Sequence, residues 1–326
     1  MSSIVAMAGT SHSPVLGMEP EKMWALRAQN DADNPELRDV AGNIRSFDDL
    51  AAEAGDRYRD ELTMDVWNAK FGEAMECIDR LRADLIALQP DLLLVIGDDQ
   101  EELFTARNQP AMAIYYGDTI ETHKPIDYGE PMLSEVQLNL GMDGSSYPAH
   151  PQAALHIINE LIARDFDIAT SSETETEGGF GHAFAWVVGK MLSGITIPMV
   201  PILINTYYPP NQPTPARCYG LGKALREAVD SMPGDLRVAV IASGGLSHFV
   251  VNDELDREIL EAMRTHNEDA LQKLPVEQLN SGTSEVRNWI AAAGAGRHLT
   301  HRWSTYIPAW RSLAGTGIGL AFGLWS

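Results

Sequence analysis

Short β-branched or aliphatic runs alternate along the chain with longer stretches in which apolar residues recur every three to four positions. That alternation predicts an α/β layer fold. The short runs place strands at 4–8, 92–96, 111–116, 167–170, 197–205 and 236–242, with a last pair between 303 and 325 broken at Gly315 and Gly317. Two of them, DLLLVIG and RVAVIAS, are continuously apolar and end in glycine or a small polar residue. Strands buried on both faces read this way, as at the parallel centre of a sheet covered by helices on each side. Helical period recurs at 69–88, 151–164, 182–192, 216–232, 253–263 and 284–293. In the first of these, Phe71, Met75, Ile78, Leu81 and Leu85 fall on one face, and Pro90 ends the helix. Pro151 suits a first helical turn, and Asn252 or Asp253 suits an N-cap.

No repeat, low-complexity tract or Gly/Ser linker divides the sequence, and a 326-residue chain with 44% hydrophobic content can bury one large core. The expectation is a single catalytic domain over 1–326: a central, mostly parallel sheet flanked by helices, with loops at the strands' C-terminal ends forming the site. Residues 31–63 and 117–150 are long, polar and weakly periodic, which suits insertions that roof a pocket.

Charge narrows the partners. Lys and Arg number 24 against 46 Asp and Glu, a formal net charge of −22 that repels nucleic acid and anionic membrane surfaces. Cys77 and Cys218 are far apart in helix-like segments, so neither a disulfide framework nor a cysteine zinc site is expected, and a reducing cytoplasm fits. The segment MSSIVAMAGTSHSPVL lacks the basic start of a signal peptide, and no apolar run approaches the ~20 residues that span a bilayer.

Polar residues cluster where the structural signals break off. His12 follows the first strand, Asp98-Asp99-Gln100 the second, and SGGLSH, ending in His248, follows the strand at 236–242. Ligands of open α/β sheets bind beyond the carboxyl ends of strands, so these loops predict one shared pocket. His182 in GFGHAF and Glu285 in SGTSEVRNW complete the set. A metal that must hold both dioxygen and an organic substrate needs a few N and O ligands from separate loops, with acid/base histidines alongside. Each residue alone also has an ordinary structural role, such as capping a turn or bracing a loop. Tyr207 and Tyr208 follow a buried strand and suit either the lining of a substrate pocket or packing. His150, His156, His298 and His301 are expected in loops or at the surface, and the glycines from Gly315 to Gly319 have the wrong spacing for a dinucleotide. Arg217, Arg287 and Lys124 are candidate partners for a substrate carboxylate.

The segments GTSHSP, VIGDDQEELF, SSYPAHPQAALHI, GFGHAFAW, IPMVPILINTYYPPNQPTPARCYGLGKAL, SGGLSHF and SGTSEVRNWIAAAG, in this order, resemble the class III extradiol dioxygenases, the superfamily of protocatechuate 4,5-dioxygenase and gallate dioxygenase. The GDDQ, YPAHP and NTYYPP segments are similar to a single-chain branch that includes enzymes acting on methoxylated catechols such as 3-O-methylgallate. The resemblance implies an Fe(II) site of two histidines and one carboxylate, a small aromatic substrate, dioxygen as co-substrate, and a homodimer. His12 matches the first histidine ligand, Glu285 the carboxylate, His248 the acid/base histidine, and His182 a second pocket histidine that contacts substrate or oxygen. One position departs. Relatives of the protocatechuate type carry Asn-Asp-His after the second strand, with the histidine on iron, where this chain has Asp98-Asp99-Gln100. Three outcomes stay open: Gln100 is a ligand directly or through water, Asp99 or Glu101 supplies the ligand, or the metal is lost. The last would make the chain a metal-free partner subunit, and a zinc-dependent hydrolase is a further alternative, because a fold alone does not choose the chemistry.

Overall fold

The computed structural model describes residues 1–125, 131–174 and 178–326; residues 126–130, part of the segment expected as an insertion at 117–150, lie outside them. The strands are β1 (Ser3–Thr10), β2 (Leu92–Gly97), β3 (Met112–Tyr115), β4 (Thr119–Glu121), β5 (Ser146–Pro148), β6 (Ala169–Ser171), β7 (Met199–Ile204), β8 (Arg237–Ser243), β9 (His301–Trp310) and β10 (Gly317–Trp325). The helices are α1 (Pro20–Asn30), α2 (Phe47–Ala54), α3 (Met64–Leu88), α4 (Pro131–Asn139), α5 (Pro151–Ile162), α6 (His182–Ala185), α7 (Pro215–Asp230), α8 (Asp253–Arg264), α9 (Glu268–Gln272) and α10 (Val286–Ala295).

Among the described residues, eight strands form one sheet in the order β6-β3-β7-β2-β8-β1-β10-β9, and β4 and β5 pair separately. The four central strands, β7, β2, β8 and β1, are mutually parallel, while β3 runs antiparallel to β7, and β10 antiparallel to β1 and β9. This is the α/β fold with a mostly parallel sheet that the apolar runs predict. Because side chains alternate across a strand, Leu94, Ile96, Val200 and Val240 face a core shared with α5, α7, α8 and α10. Their neighbours Leu93, Val95, Leu203 and Ile241 face the second core, built with α1, α3 and α6. Truncating one of these fully buried side chains to alanine costs about 2–5 kcal/mol.

Two packing features position the site. The residues of α10 are all buried, and α10 crosses α7 so closely that a Cβ on Gly222 would overlap the Ala291 carbonyl. Trp289 of α10 lies against Gly9 of β1 and donates Nε1–H to the Gly244 carbonyl at 2.9 Å, which locks the helix start to two strand ends. The loop after β8 is joined to β10 by Leu246 N–H to Gly319 O (3.0 Å) and Gly319 N–H to Ser247 O (2.9 Å).

Several elements differ from the sequence reading. The helix expected over 182–192 is α-helical only through α6 and continues as a wide π-type turn at Trp186–Met191. Within it, Trp186 Nε1 donates to Thr10 Oγ1 at 3.1 Å, tying this segment to the end of β1. The helices α1 and α4 lack a strong apolar repeat and α2 and α9 are short, and the sequence reading misses all four. α3 starts earlier than expected because Thr63 caps it, accepting the Val66 amide. As expected, Pro151 opens α5 and Asn252 caps α8. Cys77 and Cys218 are free and buried, and among the described residues no helix is long and apolar enough to cross a membrane.

Candidate functional site

The C-terminal ends of β1, β2, β7 and β8 open at one edge of the sheet into a cavity of about 450 Å³, a size that suits a single-ring ligand. His12, Gln100, His182, Tyr207, His248 and Glu285 all line it, so the sequence-predicted residues are brought together with one exception. Tyr208 is not among the lining residues. Asn205 holds its backbone, accepting its N–H at 2.9 Å and donating to its carbonyl at 2.6 Å, so that the tyrosine stands behind Tyr207.

His12 lies on the turn after β1. Ser243 Oγ donates to the Ala183 carbonyl, so toward His12 it serves as an acceptor, and the 2.9 Å contact places the ring proton on Nδ1. The opposite nitrogen, Nε2, is then a bare lone pair. It is buried, has no hydrogen-bond partner, and lies 3.5 Å from Glu285 Oε2. A lone pair facing a carboxylate oxygen with nothing between them is unfavourable unless a proton or a cation joins them.

Glu285 ends a tight turn, Ser281–Glu285, that runs into α10. Its Oε2 accepts the Gly245 amide at 2.6 Å and its Oε1 lies 3.5 Å from His248 Nε2. Burial opposes its charge, but positive charge at the flanking His248 and His12 rings, where a bound cation would act in the same sense, outweighs burial and holds the carboxyl well below the usual range. His248 itself is fixed on both sides: Nδ1 contacts the Leu246 carbonyl at 2.9 Å, so Nδ1 carries hydrogen, and Thr283 Oγ1 bridges the His248 N–H (3.1 Å) and carbonyl (2.9 Å). Its Nε2 is left toward the cavity. Gly282 lies so close that a Cβ there would overlap the imidazole.

The sequence reading missed Asp98 as a potential ligand. His12, Asp98 and Glu285 are all buried, and their donor atoms lie within 4.8 Å of one another. Burial and the charge of Glu285 push the Asp98 carboxyl pKa up, the signature of two carboxylates crowded together without a compensating cation. Gln100 turns to Asp98 and donates its side-chain amide to Oδ2 at 3.1 Å, while Asn288 reaches Oδ1 at 3.4 Å. The other two alternatives point elsewhere. Asp99 spends both oxygens on the amides of Leu103 and Phe104, each at 2.9 Å, and Glu101 is exposed.

Sequence reading also missed Glu102. It accepts the backbone N–H of Gln100, and its Oε1 lies 3.5 Å from His182 Nδ1. Burial disfavours a charge on His182, but the hydrogen bond and charge of Glu102, with Asp98 and Glu285 behind, prevail and raise it to about 9. The His182 ring stands edge-on to His12 with centroids 4.6 Å apart. Arg217, Arg287 and Lys124 are not in the lining. Arg287 is buried on the carbonyls of Pro213 and Leu279, and Arg217 stacks on Phe166.

A family model described as the catalytic LigB subunit of aromatic ring-opening dioxygenase matches residues 64–311. The chain belongs to this family. Similar proteins include gallate dioxygenase of Pseudomonas putida, 29% identical over 51% of this chain and 52% of the relative. A 2,3-dihydroxyphenylpropionate/2,3-dihydroxicinnamic acid 1,2-dioxygenase of Comamonas testosteroni is 28% identical over 53% of this chain and 48% of the relative. The chain thus spans about half the length of these two. A like-named relative of Xanthobacter autotrophicus is 22% identical over 76% of this chain and 91% of its own length. The family match includes Asp98, Glu102, His182, His248 and Glu285 and leaves His12 outside it.

Proposed function

We propose that the chain is an extradiol dioxygenase that opens a catechol-type ring, with Fe(II) held by His12, Asp98 and Glu285. One observation carries the reading: a buried imidazole Nε2 without a partner faces two buried carboxylates in a cavity sized for one aromatic ring. The donor set suits such an ion. One neutral nitrogen and two carboxylates from three separate loops differ from the two-histidine, one-carboxylate set of non-haem iron sites by one imidazole but remain N and O donors suited to a divalent ion, and a dication removes the conflict among these groups. The ligand expected at Gln100 falls instead to Asp98, with Gln100 orienting it by a hydrogen bond, as outer partners of metal ligands do. A carboxylate in this place also weakens the metal-free alternative, which rested on the neutral amide.

Held by these residues, iron would supply a Lewis acid that lowers the pKa of a ring hydroxyl and the redox chemistry that dioxygen requires. The rest is assigned to the protein. His248 accepts a proton from the substrate at Nε2, because Nδ1 is committed to the Leu246 carbonyl, and Thr283 holds the backbone that carries the ring. His182, held charged by Glu102, donates a hydrogen bond toward oxygen or a substrate hydroxyl. Tyr207 flanks the ring. Leu133, Val136 and Leu140 line the cavity from within and beside α4, which supports a roofing role for the segment at 117–150 and the exclusion of water.

The test is metal analysis of anaerobically purified protein together with oxygen uptake on catechol, protocatechuate, gallate and 3-O-methylgallate. About one iron per chain, oxygen consumption and a yellow ring-opened product are expected. Zinc with ester or amide hydrolysis, or folded protein with neither metal nor uptake, overturns the reading.

A further inference from the structure

Beside the acidic centre the cavity holds two arginines, Arg27 of α1 and Arg311 at the end of β9. They differ in one respect. Arg311 is fully engaged: Nε and Nη2 grip the two oxygens of buried Asp31 at 2.6 and 2.9 Å, and Thr316 adds a hydroxyl to the same carboxylate. Arg27 has no such partner. Among the described residues its guanidinium makes no hydrogen bond or ion pair, and the Phe249 ring centroid lies 6.0 Å from it. Asp31 acts on Arg27 through its charge alone: its hydrogen bonds go to Arg311 and Thr316, and none joins it to Arg27. Burial, aided by the Arg311 cation, lowers Arg27 to about 10 and outweighs the opposing charge of Asp31, as expected of a desolvated guanidinium with no anion in contact.

A cation in that position wants an anion, and the cavity provides space for one beside it. The surroundings also indicate orientation. Phe249 and Tyr207 lie beside Arg27, and Phe249 packs edge-on to His248 at a centroid distance of 5.6 Å. A planar ring whose hydroxyls reach His248 and Glu285 would therefore pass along Phe249 with its far substituent toward the guanidinium.

We propose that Arg27 is the anchor for a ring carboxylate, so that the chain selects aromatic acids over uncharged catechols. The orientation rests on the ring-opening reading above; the anion site does not. Arg311, already neutralised by Asp31, walls the subsite without competing for the ligand.

The experiment measures binding of 4-hydroxybenzoate and of its uncharged isostere 4-hydroxybenzamide to the iron-loaded protein under nitrogen, by calorimetry. The wild type, Arg27→Gln and Arg27→Lys are compared. Loss of a charge-assisted hydrogen bond predicts about a 30-fold weakening of 4-hydroxybenzoate in Arg27→Gln, less than about threefold for the amide, and partial recovery in Arg27→Lys. Equal weakening of both ligands, or no preference for the acid in the wild type, overturns the proposal. Steady-state oxygen uptake separates it from the activity itself. Charge-dependent binding through Arg27 with no uptake on any catechol leaves the anion site standing and removes the ring-opening reading.

Discussion

Asp98 and Gln100 offer opposite outcomes when each is removed, and this distinguishes the two possible ligand sets. The donor atoms of His12, Asp98 and Glu285 lie within 4.8 Å of one another, so an ion they share is nearer to each than that. Two unit charges 4 Å apart at an effective dielectric constant near 20 interact by about 4 kcal/mol, roughly a thousandfold in affinity. For a divalent ion at ligand distance that figure is a floor. Asp98→Asn, which keeps the shape and removes the charge, is therefore expected to lower iron affinity by at least about 10³. Gln100→Ala removes only the 3.1 Å hydrogen bond that orients Asp98, and loss of such an outer contact costs about 10- to 100-fold. Iron retained after anaerobic dialysis against graded chelator, read by atomic absorption, gives the two affinities. If Gln100→Ala loses iron while Asp98→Asn holds it, Gln100 is the ligand and the assignment of Asp98 is wrong.

Other residues give narrower tests. His248→Ala is expected to keep iron and lose about 10²- to 10⁴-fold in kcat; unchanged turnover would remove His248 from proton transfer. Gly282→Ala puts a methyl into the His248 ring, so oxygen uptake should fall at least about tenfold at full iron content, and an unaltered rate would mean that the ring can move without cost. Asp256, buried and accepting the Ser247 amide (2.9 Å), the Ser247 hydroxyl (2.6 Å) and the Tyr306 hydroxyl (2.8 Å), is raised by burial from 3.8 to about 6 despite these bonds. Its folded state binds the extra proton, so this contribution to stability is complete below pH 3.8 and is lost as pH rises through about 6, up to about 3 kcal/mol. Urea unfolding of wild type and Asp256→Asn across pH 4–7 should differ in slope in that window, and parallel curves would contradict the shift.

Much of the fold was legible because the central strands are buried on both faces and read as unbroken apolar runs. Four of the loops leaving them carried the polar residues that meet in the cavity. What sequence did not resolve was direction within the segment Asp98-Asp99-Gln100. Gly97 presents its hydrogen to Ala183 and Phe184, so alternation along the chain sends Asp98 to the opposite side, toward Asn288 of α10. Asp99 turns back to cap the amides of Leu103 and Phe104. The glycine ending β2 was the available clue, but its partner across the sheet is set by the long-range packing of α6. Arg27 was missed for a similar reason: α1 has only a weak apolar repeat, and a cavity wall leaves no periodic signal.

If Asp98 takes the place of the second histidine ligand, as proposed, the charge of the centre changes. Two histidines and one carboxylate leave a divalent ion with one net positive charge, whereas His12, Asp98 and Glu285 together neutralise it. A neutral centre attracts an anionic substrate less strongly, so positive charge must be provided nearby for catecholate binding. The cavity has it in two places: His182, kept protonated to about 9 by Glu102, beside His12, and the unpaired guanidinium of Arg27 near Phe249. On this account Glu102→Gln, which lets His182 discharge, should raise KM for catechols more than it lowers iron affinity. A variant that loses iron and substrate affinity in equal measure would show instead that Glu102 acts only as a structural brace.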